Sequence, residues 1–172
     1  ALMSTRIAAL EAWRQLRALR HVAHLAGIGG MVAGQAAEFA ARGQSAERGL
    51  LDYISDGKTG ALFAAAVQSA AILAAATEAE IAALGVYAQK LGRAFQMIDD
   101  VLDISGNQAE LGKPVGSDVR NGLSTYVTLL GCEPARQSAR GLAEEARQSL
   151  TVFGPRADTL RGLTLLLTER NK

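Results

Sequence analysis

Chemistry concentrates in the stretch Phe95-Gln96-Met97-Ile98-Asp99-Asp100-Val101-Leu102-Asp103. On a helix, Asp99 and Asp103 share a face one turn apart, and Gln96 lies three residues before Asp99 on that same face. Like charges at this spacing cost about 0.2–0.5 kcal/mol per pair. A hard divalent cation offsets that repulsion. Magnesium prefers carboxylate oxygens, keeps several waters and is usually completed by substrate phosphates. A bare pair of carboxylates also fits a solvated acidic patch, but Ile98, Val101, Leu102 and Ile104 imply a largely buried helix.

Two lysine-bearing segments accompany the carboxylates. Gly112-Lys113-Pro114-Val115-Gly116-Ser117-Asp118 follows on a glycine-rich loop, where a compact positive charge and close backbone approach suit phosphate oxygens. Lys58-Thr59-Gly60 is expected to open a helix, where free N–H groups and the helix dipole favour an anion. Either lysine alone also reads as an ordinary surface residue. Together they form an anion site facing a metal site, the minimal kit for a metal-bridged diphosphate. Gln35 and Glu38, three apart on one helix face, are weak signals by chemistry alone.

These groups need helices to position them. Alanine is abundant and there are only three prolines, which favours helix almost everywhere. Helices are expected over 2–26, 30–41, 45–57, 58–76, 78–104, 124–130, 134–152 and 157–168, with an ordered loop over 106–121. Gly27 and Gly43 act as stops and Ser45 as an N-cap. Thr77 with Glu80 three residues on forms a capping-box pattern. The expected fold is all-α, a single bundle over residues 1–172.

The bulk numbers narrow the function classes. The 172 residues suffice for one domain with a real core. A formal net charge of +1 argues against nucleic-acid binding. The longest apolar run, broken by Gln68 and Ser69, is too short for a membrane span, which needs about 20 residues. No secretory signal is visible. The single cysteine, Cys132, reads as a buried inert thiol and suits a reducing cytoplasm.

In order and spacing these segments resemble the trans-isoprenyl (polyprenyl) diphosphate synthases, with the closest look to bacterial farnesyl- and geranylgeranyl-type enzymes. The carrying segments are Gly30-Met31-Val32-Ala33-Gly34-Gln35, Lys58-Thr59-Gly60-Ala61-Leu62-Phe63, Phe95 to Asp103, Leu111 to Asp118, and Ser124-Thr125-Tyr126 with Leu129-Leu130-Gly131. The resemblance implies the isoprenoid-synthase bundle and a magnesium-dependent head-to-tail condensation of an allylic diphosphate with isopentenyl diphosphate. It implies Asp99, Asp100 and Asp103 as the metal motif and Lys58 and Lys113 as the grip on the departing diphosphate. Thr59 and Gln96 then lie beside the allylic carbon. Gln35, Phe95 and Asp118 complete the substrate site.

The chain also departs from the family pattern. The first aspartate-rich motif and its paired arginines are not in this sequence, which looks like the C-terminal half and is expected to be inactive alone. Leu123 stands where a lysine is usual, and Glu38 where aspartate is usual. A non-catalytic or regulatory subunit of a heteromeric synthase is the alternative reading. A class I terpene cyclase shares the metal–diphosphate logic, but the lysine motifs fit coupling enzymes better. The expected partner is the N-terminal half or a second copy, the latter meeting apolar Leu2, Leu10, Trp13, Leu16 and Leu19.

Overall fold

The computed structural model describes residues 11–105 and 121–169. Within them the chain forms helices α1 (Ala12–Ala26), α2 (Met31–Ala40), α3 (Arg48–Ser55), a π turn (Asp56–Gly60), α4 (Ala61–Leu73) and α5 (Glu78–Ser105). Then come α6 (Tyr126–Leu130), α7 (Cys132–Ser149), a 3-10 segment (Thr151–Ala157) and α8 (Asp158–Thr168). There is no strand among the described residues, and no helix of theirs is long and apolar enough to cross a membrane.

The 28-residue α5 is the central post. It packs against α7 and α4, while α1 covers α4 and α8 leans on α7 and α5. Being flanked on several sides, α5 buries apolar residues around most of its circumference. Its lower half contributes Ile81, Leu84, Tyr87 and Leu91 to one core cluster. Its upper half contributes Ala94, Met97, Ile98, Val101 and Leu102 to a second, beside the carboxylates. Cys132 is only partly buried and packs at the edge of that second cluster.

Local capping boxes start two of the helices. Thr77 starts α5 with the reciprocal capping box: its N–H donates to Glu80 Oε2 at 2.8 Å, and the Glu80 N–H donates to Thr77 Oγ1 at 3.3 Å. Thr125 caps α6 in the same manner with Thr128. Ser45 does not cap α3; Glu47 holds that position, with no side-chain cap. Helix α4 stops at Leu73 rather than Ala76 because Ala75 turns to φ 60°, a left-handed conformation that penalises a Cβ. Ala75→Gly is therefore expected to stabilise the protein by roughly 0.5–1 kcal/mol, read as a rise in Tm; a fall would mean that the methyl group is needed for packing.

The largest departure from expectation lies at Asp56-Gly57. Instead of one helix ending and another opening, α3 runs through the π turn into α4 with right-handed helical dihedrals at Ser55, Asp56 and Ala61. Lys58 and Thr59 thus sit inside a continuous helical rod, and no helix N-terminus is available there for an anion. On α1, Trp13, Leu16 and Leu19 are exposed rather than core. Leu2 and Leu10 lie outside the described residues.

Candidate functional site

Three backbone contacts bring the site together, and each depends on absent side chains. A Cβ on Gly34 of α2 would stand 2.2 Å from the Lys58 nitrogen, so α2 lies directly on the π turn. A Cβ on Gly92 would stand 2.6 Å from the Gly60 Cα, so α5 presses on the turn from the other side. A Cβ on Gly57 would in turn stand 2.8 Å from the Gly34 Cα. The π turn is held between two helices at backbone distance.

This packing sets the polar groups around a cavity of about 270 Å³, lined by Glu38, Lys58, Gln96, Asp99, Asp100 and Ser124 among others. Lys58 donates to both oxygens of Glu38, at 2.7 and 2.8 Å, and Gln35 Nε2 donates to Glu38 Oε2 at 2.8 Å. The Thr59 hydroxyl donates to Gln96 Oε1 at 3.2 Å. Gln96 Nε2 donates to Asp100 Oδ1 at 2.9 Å. The Phe95 ring stands edge-on to Phe63, centroids 5.9 Å apart, and is not among the side chains that line the cavity.

The three aspartates of the motif are not equivalent. Asp99 is half-buried and lines the cavity. Asp103, one turn further on, is buried. Asp100, grouped above with the metal ligands, accepts from Gln96 on one oxygen and from the Tyr126 N–H on the other, at 2.8 Å. Its carboxylate ties α5 to the first turn of α6 and orients the Gln96 amide. Lys113 and Asp118 lie outside the described residues.

A magnesium ion can be tested against this donor set. No group of three or more metal-binding side chains gathers among the described residues, so they form no self-sufficient cage. The oxygen donors that do line the cavity suit an ion that takes one or two carboxylates and is completed by substrate phosphates. The fit is to a substrate-completed magnesium.

A second polar cluster went unread in the sequence. Arg93 Nε and Nη2 grip the two oxygens of Asp56, the latter at 2.6 Å, and Nη1 donates to Asp52 at 3.0 Å. Gln89 also donates to Asp56, at 2.8 Å, while the Tyr126 hydroxyl and Arg48 both donate to Asp52. Hydrogen bonding to Asp56 raises the Arg93 pKa further, so the guanidinium stays charged. Burial pushes the Tyr126 phenol well above its ordinary value, keeping it a donor. One available signal was that Arg93, Gln96, Asp100 and Asp103 form a single stripe at helical spacing.

Comparison with known proteins places the chain. The family described as Polyprenyl synthetase matches residues 1–151. Farnesyl diphosphate synthase of Escherichia coli (strain K12) is 41% identical over 158 residues, covering 90% of this chain and 53% of that protein. A farnesyl/geranylfarnesyl diphosphate synthase structure from Zymomonas mobilis superposes with a TM-score of 0.79 at 31% identity, covering 91% of this chain and 52% of that one. A geranyltransferase from Helicobacter pylori, solved with magnesium and isoprenyl diphosphate, gives a TM-score of 0.79 at 25% identity, covering 98% of this chain and 55% of that one. The chain thus spans about half the length of the relatives it matches. With its motifs in order and its bundle superposable, this chain belongs to the polyprenyl synthetase family.

Proposed function

We propose that the site serves a trans-prenyltransferase, in which an allylic diphosphate is condensed with isopentenyl diphosphate in head-to-tail chain elongation. The observation that carries this reading is the convergence of Lys58, Gln96 and Asp99 on one cavity beside an apolar bundle, with Thr59 hydrogen-bonded to Gln96. Magnesium, when bound, neutralises the charge that builds on the departing diphosphate. Asp99 and Asp103 are the side chains assigned to hold it, with Asp100 positioning Gln96 between them and Thr59. Support for that ion comes from the Helicobacter pylori relative, whose structure contains magnesium and isoprenyl diphosphate.

The other roles follow from the side chains. Lys58, and Lys113 by the family motif, grip the diphosphate. The Thr59 hydroxyl donates its hydrogen bond to Gln96 Oε1 and so leaves its oxygen lone pairs for any positive charge that develops nearby. Phe95 and Gln35 shape the approach of the allylic chain, and Asp118 is assigned to the metal side by the motif. Surrounding apolar side chains exclude water that would quench an allylic cation. The exposed Trp13, Leu16 and Leu19 edge is assigned to a homodimer contact.

Isothermal titration with geranyl diphosphate tests the reading, with and without magnesium. Binding is expected only when magnesium is present; equal binding in its absence would overturn the metal-bridged site. A related variant probes Glu38, which occupies Lys58 in the free protein. Glu38→Gln is expected to tighten diphosphate binding by up to about tenfold, a fraction of one charge-assisted hydrogen bond. Weaker binding in this variant would make Glu38 part of the grip instead of its competitor.

A further inference from the structure

Arg93 stands outside the motifs that carry the family resemblance, yet it is the bidentate, charged clamp on the segment that carries Lys58. We infer that Arg93 is a positioning residue: by holding Asp56, its guanidinium fixes the π turn and thereby the placement of Lys58 and Thr59. The inference rests on the diphosphate-site reading and deepens it.

A π turn is rare and favoured at functional sites, and a single five-residue turn needs outside support. The glycine contacts from Gly34 and Gly92 supply walls. Walls limit approach but do not pull. The bidentate pull on Asp56, the first residue of the turn, comes from the planar fork of Arg93, with Gln89 as a single neutral donor beside it and the Lys58–Glu38 pair drawing the turn toward α2. With Asp52 as its third contact, the guanidinium has its charge answered by two carboxylates and is not itself directed at an anion in the cavity.

The contacts close into a ring around the site. Arg93 donates to Asp52, and the Tyr126 hydroxyl donates to the same carboxylate. The Tyr126 N–H donates to Asp100, Gln96 donates to Asp100, and Thr59 donates to Gln96. From Thr59 the backbone of the π turn leads back to Asp56 and Arg93. Opening this ring at Arg93 releases the turn without removing any group assigned to touch the diphosphate.

The experiment compares wild type with Arg93→Ala, Arg93→Lys and Asp56→Asn by two readouts. Hydrogen exchange in the peptide spanning Asp56–Gly60 is measured against α7 as an internal reference. Affinity for inorganic diphosphate with magnesium is measured by titration. Arg93→Ala should speed exchange in the π turn, leave α7 unchanged and weaken diphosphate binding by roughly 10–100-fold, as loss of a supporting partner does. Arg93→Lys should recover part of the affinity, since it keeps the charge and loses the fork. Asp56→Asn should repeat the pattern, and it carries the test if Arg93→Ala does not fold. Unchanged exchange and affinity would overturn the inference, as would an equal rise of exchange in α7, the mark of a merely structural role. If wild type binds no diphosphate while the exchange pattern holds, the functional reading falls and the positioning of the turn stands.

Discussion

Gly34→Ala should destabilise this protein by about 3 kcal/mol or more, the range in which a core cannot absorb added volume. The added methyl would lie 2.2 Å from the Lys58 nitrogen and 2.7 Å from the Gly57 carbonyl carbon. Both are backbone atoms, so no rotamer change relieves the clash. Either α2 lifts off the π turn or the turn gives way, and the Lys58–Glu38 pair moves in both cases. For a chain of this size the loss corresponds to a fall in Tm of roughly 6–12 °C. Gly141→Ala is the control: it lies in the interior of α7, exposed and with open space where a Cβ would stand among the described residues. It should gain about 0.5–1 kcal/mol from helix propensity alone. A Gly34→Ala protein as stable as wild type would mean that α2 and the π turn are not in backbone contact.

The contrast between those glycines shows what sequence patterns carry. Thr77 and Glu80 announce the start of α5 because a capping box is made of neighbours in the chain. Asp56-Gly57 carries the same kind of local signal for a helix end, and there the signal misleads. Glycines on α2 and α5 permit two backbones to squeeze the segment, and tertiary packing outweighs the local breaker. A glycine chosen for close approach and a glycine chosen for a turn look alike in one sequence.

Something similar holds at the site. Gln96, Asp99 and Lys58 are legible because helical spacing puts the first two on one face and because Lys58 heads one of the segments that carry the family resemblance. The 2.7 Å pairing of Lys58 with Glu38 is not legible, since it joins two helices through their packing. Asp99 and Asp100 are indistinguishable as letters. On α5, neighbours differ by about 100° in direction: both carboxylates line the cavity, and Asp100 also reaches the Tyr126 N–H and the Gln96 amide. Arg93 is hidden for the same reason: its partners on α3 and the π turn come from 37 and 41 residues away.

Replacing Asp99 and Asp103 together with asparagine should abolish magnesium-dependent diphosphate binding while leaving the helical bundle intact. Asparagine keeps the size of each side chain and one acceptor oxygen, so packing around α5 is retained; what disappears is the negative charge a hard cation requires. Wild type at a diphosphate concentration near 100 times its Kd should gain about 2.7 kcal/mol, a rise in Tm of roughly 5–10 °C for a protein of this length. Magnesium alone should give far less, because the described residues form no complete cage and the substrate must finish the coordination. The double variant should show no shift with both ligands together, and Asp99→Asn alone should remove most of it, given that Asp99 lines the cavity and Asp103 is buried. Asp100→Asn tests the positioning role: its carboxylate is engaged by Gln96 and the Tyr126 N–H, so its replacement should lower Tm without ligand while preserving a measurable magnesium-dependent shift. A double variant that still responds to magnesium and diphosphate would place the metal elsewhere. If wild type shows no response either, the carboxylates serve the fold alone.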